Sequence, residues 1–411
     1  MSSLLEKKIK QDIDVVTRQD LLSFTPSMQL QVYVKGKKKV DLKWGEEYEF
    51  YDLASLTKIL FTVPQFMRAQ SESRLNVNDN VSEYLNWWPH KNIKIKSVLS
   101  HNAGLPWWAP LYENFKDEKI KYDKINNELA LNKKHTRNSA TGKTLTVKDF
   151  ATQKEYVRKY MSGLELTNEK KAVYSDLDFI LLSFLLEEVY EKPLIDIFAS
   201  WPKRELLPSF HFNNLNHRKY AQKKYAPTEN CPWRKKILQG EVHDDNTWAL
   251  GGVSTHAGLF GSIDDVSQYG LLLRQALLQK SLPQNRKKGQ AKISGEYGSA
   301  KMLTSPQLAQ LFTKRAIAKA RGDWALGYMM PSRGSASAGR FFSPLSVGHT
   351  GFTGTSFWYD PKKDLQVVLL SNRVNPTRDN KKFISLRPLV HEIIFQRIFK
   401  PNAQFNLKLN V

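Results

Sequence analysis

The chain has 411 residues, 41% of them hydrophobic and 11% aromatic, enough apolar material for a sizeable core, so disorder is not the default. A single cysteine, Cys231, excludes an internal disulfide framework, a cysteine-rich metal site and dithiol redox chemistry. The formal charge of +22 is large, but the basic residues lie in scattered short runs such as 35–39, 133–134, 234–236 and 286–288. With no zinc-finger spacing, aromatic sheet motif or glycine-rich phosphate loop among them, they read as a solvated basic surface and argue against a specific nucleic-acid partner.

No run of about eighteen apolar residues is present to span a membrane. Residues 1–14 are polar and charged and lack the apolar centre of a secretion signal, so the chain as it stands is expected in the cytoplasm, or in the periplasm if a signal was removed. Residues 29–34 and 40–44 read as two strands joined by a charged turn over 35–39. The following stretch, Tyr51-Asp-Leu-Ala-Ser55-Leu-Thr-Lys58-Ile-Leu-Phe61, carries apolar residues at Leu56, Ile59, Leu60, Val63 and Met67, and that spacing predicts a helix beginning near Ser55. Positions three apart share a helix face, which brings the Lys58 amine within reach of the Ser55 hydroxyl. A serine is a poor nucleophile until a base takes its proton, and a partly desolvated lysine can be that base or bias another. Taken alone, the pattern is weak and fits an ordinary amphipathic helix with a solvated lysine better.

After a polar turn and short helix over 74–81, residues 93–108 end in a Gly104/Pro106 loop whose tryptophans, Trp107 and Trp108, are expected in the core. Residues 111–150 are polar, with a surface excursion at 131–143. A strongly apolar helix follows, with Leu177, Ile180, Leu181, Phe184, Leu185 and Val189 as its buried stripe. Tyr174 and Asp176 stand at its entrance, placed either to face a cleft or to serve as packing and as a helix cap. Residues 201–240 read as loop with short helices. The Gly-, His- and Asp-rich segment 240–261 lacks paired metal-ligand spacing, so neither a metal nor a cofactor is expected. A helix over 264–279 and a polar basic linker over 283–300 lead to strands at 324–330, 354–359 and 364–371, the last two joined by a turn at 360–363. An amphipathic helix over 384–399 closes the chain.

Strands at both ends and helices between them predict an α+β fold: a sheet domain from 1–54 and 245–411, a mostly helical domain over 55–244, and a site in the cleft between them.

Three separated elements, Ser55/Lys58, Tyr174-Ser175-Asp176 and His349-Thr350-Gly351, resemble in their order the three motifs of the penicillin-recognising serine hydrolases. The match is nearest the branch of class C β-lactamases, DD-peptidases and esterases. Segments 99–106, 251–260 and 370–378 are also similar to that family, and the likeness spans roughly residues 20–400. It implies a β-lactamase/transpeptidase-like fold, with an antiparallel sheet from both termini flanked by helices, and a Ser55 acyl-enzyme with Lys58 beside it. Tyr174 is implied as general base through its phenolate, with Asp176 and His349 as further catalytic residues. The Ser55 and Phe352 amides are implied as the oxyanion hole, while Thr350 and His349 would hold a substrate carboxylate or proton network and Gly351 would admit the substrate backbone.

Two departures stand out. Asp176 replaces a usual asparagine, and His349 replaces the lysine of true β-lactamases. Both turn the expectation from strong β-lactam hydrolysis toward esters or D-amino-acid peptides of peptidoglycan type; the alternative is a non-catalytic protein that binds peptidoglycan fragments or penicillin.

Overall fold

The computed structural model describes residues 3–113, 136–137, 144–145, 147–168, 171–213, 221–279, 302–332 and 337–401. The expected hairpin forms from Ser27–Val34 (β1) and Lys37–Gly45 (β2). Its turn is shorter than expected, only Lys35-Gly36, both at positive φ, a combination that matches the twist of paired strands. Lys37, Lys38 and Lys39 therefore belong to β2 and face solvent.

Val347–Thr350 (β3), Ser356–Asp360 (β4) and Leu365–Ser371 (β5) complete an antiparallel sheet in the order β3-β4-β5-β1-β2. The two ends of the chain meet where β1 pairs with β5, from Met28 opposite Ser371 to Val34 opposite Leu365.

Five helices matter for the site and its support: Leu4–Val16 (α1), Val63–Ser71 (α2), Asp176–Tyr190 (α3), Ile263–Leu278 (α4) and Lys382–Phe399 (α5). Strand side chains alternate between faces. On one face Met28, Leu30, Val32, Val367 and Leu369 pack against Ile9 and Ile13 of α1 and Leu386, Val390 and Ile394 of α5. On the other, Phe357, Tyr359, Val368 and Leu370 join a larger core with Val266, Tyr269 and Leu273 of α4. The approach of α4 is close: a Cβ at Gly270 would stand 2.3 Å from Gln366 Oε1 and 2.6 Å from the Phe357 ring, so a side chain there would push the helix off the sheet or displace both neighbours.

The structure corrects several expectations. Residues 1–14, read only as polar, include α1; Ser3 and Glu6 form a reciprocal capping box, and burial of Ile9 and Ile13, about 2 kcal/mol each, holds the helix on the sheet. Residues 324–330 do not form a strand. They fold back on themselves, with Ala325 N–H on Tyr328 O and Gly327 at φ 84°, leaving only isolated bridges. Trp107 is 64% exposed rather than core, stacked on the partly buried Trp108. Residues 201–240 contain short strand pairs as well as short helices. The excursion at 131–143 lies almost wholly, and the linker at 283–300 wholly, outside the described residues. Among the described residues no helix is long and apolar enough to cross a membrane.

Candidate active site

A small sheet delivers Ser55. Tyr51–Asp52 pairs with Leu259–Gly261, and the chain then turns sharply through Ala54, whose φ of 47° is costly for a residue with a side chain, of order 1–3 kcal/mol. Buried Asp52 holds the turn, accepting the Ala54 N–H at 2.8 Å and the His243 N–H at 2.7 Å. The expected helix begins here, but not as a regular α-helix: Ala54–Leu56 is a 3-10 turn, Lys58–Thr62 a π turn, and α2 follows. Pro64 has no N–H to offer the Leu60 carbonyl and crowds it, so the first turns widen. The Tyr269 hydroxyl satisfies the Ile59 carbonyl at 2.6 Å.

Ser55, Lys58, Tyr174 and Asp176 meet in one hydrogen-bonded cluster. Lys58 is fully buried and spends its three protons on Ser55 Oγ (3.0 Å), Asp176 Oδ1 (2.7 Å) and the His256 carbonyl (3.0 Å). Tyr174 OH lies 2.9 Å from Ser55 Oγ and 3.2 Å from Asp176 Oδ1. Burial by itself would lower the Lys58 pKa, but the Asp176 charge and then Tyr174 outweigh it, and the net displacement is upward. Lys58 is an ammonium. Burial, reinforced by Asp176 and only partly opposed by Lys58, pushes the Tyr174 phenol up to about 12. The phenolate expected from the sequence is therefore disfavoured in the resting site. Asp176 is not the helix cap; Ser175 is, accepting the Asp178 N–H at 3.2 Å while its own hydroxyl donates to the Pro106 carbonyl.

Several supporting groups were not singled out from the sequence. His101 packs against Tyr174, with ring centroids 4.8 Å apart, and its Nδ1 lies 3.0 Å from Asp178 Oδ2 and 3.2 Å from the Ser175 N–H. Burial drives Asp178 well above and His101 well below their ordinary values, so this pair is uncharged: the Asp178 carboxyl donates to an imidazole that also accepts the amide. Trp324, from the misread segment, stacks on Tyr174 at 5.9 Å and 20°. His256 is held by Asp244 (2.8 Å) and Ser254 (2.7 Å), which aims its carbonyl at Lys58. His101 lay in segment 99–106 and His256 in 251–260, so the family-like text marked their neighbourhoods without showing their contacts.

The third motif is placed differently from expectation. His349 is buried, its Nδ1 bonded to the Thr350 carbonyl at 2.8 Å, and burial and then the Lys58 charge pull it down to about 3. It is neutral, makes no hydrogen bond to Ser55, Lys58, Tyr174 or Asp176, and meets Tyr174 only as a ring 5.8 Å away. Burial thus disfavours a fixed positive charge at this position. Thr350 is partly exposed at the end of β3, its hydroxyl 4.0 Å from Met329 Sδ. Gly351 has a packing reason of its own: a Cβ would stand 2.0 Å from Thr355 Oγ1 and 2.8 Å from the Leu53 carbonyl. The loop after it is pinned to the nucleophile turn by Thr353 Oγ1 on Asp52 O (2.8 Å) and Thr355 Oγ1 on Leu53 O (3.2 Å). Among the described residues neither the Ser55 nor the Phe352 N–H finds a protein acceptor. No group of three His, Cys, Asp or Glu among those residues is placed to hold a metal ion.

Known proteins resemble this chain in sequence and in fold. A family model described as Beta-lactamase matches residues 20–389. A Salmonella typhimurium (strain LT2) protein named "Putative D-alanyl-D-alanine carboxypeptidase" is 29% identical over 365 residues, covering 82% of this chain and 73% of the relative. Among solved structures, EstCE1, a hydrolase with promiscuous acyltransferase activity, superposes with a TM-score of 0.61 at 16% identity, over 95% of this chain and all of that one. A class C β-lactamase from Rhodobacter sphaeroides superposes at 0.58 and 14% identity, over 95% and 99% of the two chains. At such identities these two likenesses speak for the fold alone.

Proposed function

The chain belongs to the β-lactamase family of serine hydrolases, and we propose that it cleaves D-alanyl-type peptides or small esters through an acyl-enzyme on Ser55. The observation that carries this reading is the convergence of Lys58 Nζ and Tyr174 OH on Ser55 Oγ, with Asp176 touching both. The name of the Salmonella relative supports the peptide substrate. The neutral His349 supports a preference away from penicillin-type carboxylates.

The base is the part of the chemistry that needs a magnitude. With Tyr174 near 12, forming its phenolate at neutral pH costs about 7 kcal/mol, and Lys58 holds its proton tightly. Asp176 supplies what both lack. In this reading Ser55 Oγ bonds to the substrate carbonyl carbon while its proton passes to the Tyr174 oxygen, and Tyr174 gives its own proton to Asp176 Oδ1. Lys58 remains a cation beside the forming oxyanion intermediate. When the carbon–leaving-group bond breaks, the proton returns along the same path to the departing amine or alkoxide, leaving the Ser55 ester. The Ser55 and Phe352 amides are assigned to the oxyanion and Thr350 to the substrate's edge.

The test is hydrolysis of a short-chain p-nitrophenyl ester and release of D-alanine from a D-alanyl-D-alanine peptide, with intact mass taken on wild type and Ser55→Ala. Wild type is expected to turn over and carry a transient acyl mass that Ser55→Ala lacks. Equal rates in the two proteins would remove Ser55 from the chemistry.

A further inference from the structure

Two arginines beneath the loop after β3 have no carboxylate partner among the described residues: Arg373, just past β5, and Arg387 on α5. Both are more than nine-tenths buried, and burial pulls each down to about 10, so both remain cations at neutral pH. A buried, unpaired cation is expensive, several kcal/mol, and calls for a compensating arrangement. For Arg387 that arrangement is two main-chain carbonyls. Its Nη1 donates to Gly351 O at 3.3 Å and Thr355 O at 3.2 Å, while its Nε is buried without a partner.

The Gly351 carbonyl belongs to the same peptide unit as the Phe352 N–H. In a trans peptide the two point in opposite directions, so a guanidinium holding the carbonyl sets where the N–H is aimed. It also polarises the unit, drawing electrons toward the carbonyl oxygen and leaving the N–H a stronger donor. Gly354 N–H, at 3.1 Å from the same oxygen, adds to this hold. The other side of the residue is fixed as well: the Phe352 ring, half exposed, lies between the His243 ring (5.5 Å, 22°) and the Arg373 guanidinium (4.7 Å). Nothing in the described chain accepts from the Phe352 N–H thus held.

We propose that Arg387 is a positioning residue for the oxyanion, orienting and polarising the Gly351–Phe352 peptide so that its N–H meets the negative charge that develops on the substrate carbonyl oxygen. The inference rests on the Ser55 acyl-enzyme reading. It differs from a structural role because it acts when charge appears, so its loss falls on kcat and on binding of tetrahedral anions, with little effect on KM.

The experiment compares wild type, Arg387→Gln and Arg387→Lys in p-nitrophenyl ester hydrolysis and in inhibition by a phenylboronic acid, which becomes a tetrahedral anion on a serine. Arg387→Gln is expected to lower kcat roughly 10- to 100-fold, less than removal of a direct oxyanion donor. Boronate affinity should fall by a similar factor and KM should stay within about twofold. Arg387→Lys, which keeps the charge and one hydrogen bond, should lose about 3- to 10-fold in both, and it carries the test if Arg387→Gln does not fold. A folded variant with kcat and boronate affinity unchanged, or with a loss confined to KM, overturns the inference while leaving the hydrolase reading intact. A wild type that forms neither an acyl nor a boronate adduct on Ser55 overturns both.

Discussion

Two acid–base pairs sit two residues apart at the start of α3, one fully buried and one with its carboxylate partly exposed, and they hold opposite charge states. Asp176 faces Lys58 as a carboxylate facing an ammonium, whereas Asp178 faces His101 with both groups neutral. In water a lysine outcompetes an aspartate for a proton by about 6.5 units, roughly 9 kcal/mol, and a histidine by only about 2.6 units, roughly 3.5 kcal/mol. Removing two charges from water costs several kcal/mol per ion, enough to reverse the second preference but not the first. Lys58 also finds a carbonyl and a hydroxyl for its other protons, while His101 Nε2 and Asp178 Oδ1 find no partner among the described residues. The same helix entrance thus holds one pair able to work on charge and one that only holds Tyr174 and Ser175 in place.

The most severe way to break this contrast is Lys58→Met. It leaves Asp176 facing an apolar side chain, and we expect kcat/KM to fall about 10³-fold or more, with a loss of about 3 kcal/mol in urea denaturation. Since Lys58 is held above its ordinary value in the folded state, the stability it brings is complete below that ordinary value. It disappears only as pH rises through the folded one, so the difference between wild type and Lys58→Met should narrow in strongly alkaline solution.

Asp176→Asn is the next step down. It removes the proton acceptor behind Tyr174 and restores the amide usual in the family, and acylation should slow about 10²- to 10³-fold. The rate should stay low between about pH 6 and 9. Recovery toward wild type with rising pH would instead make Lys58, freed from the carboxylate that holds its proton, the base.

The smallest effect has the opposite sign. The raised pKa of Asp178 means the folded protein keeps a proton that the unfolded chain releases above about pH 4. Asp178→Asn keeps a donor toward His101 without that penalty. Its stability should exceed wild type by about 2 kcal/mol at pH 7, with the gain vanishing near pH 4; thermal unfolding at the two pH values reads it directly. A loss at pH 7 would show that the pair is an ion pair after all.

Much of this could be read from the residues. The hairpin, α3, α4 and α5 follow from the residue pattern, and motif order alone groups Ser55, Lys58, Tyr174 and Asp176. The failures have local causes. Residues 324–330 have strand-like composition, but Gly327 allows a reversal that period-two reading does not detect. Helix α1 carried its signal in the Ser3–Glu6 box and the Ile9/Ile13 spacing, both overlooked beside the charge of that segment. Trp107 has the composition of core and lies outside it, because its backbone is committed to the Asp176 N–H while its side chain faces solvent.

The sequence by itself determined most of the elements, the family they belong to and which functional groups are available, because these depend on short-range periodicity and motif order. Only the tertiary structure decided the charge on each group. His349 is neutral, Tyr174 keeps its proton and Lys58 keeps its charge because burial and neighbours distant in the chain set each proton's energy. The carbonyl contacts of Arg387, 36 residues beyond Gly351, belong to the same class: they exist only once α5 has packed against the sheet.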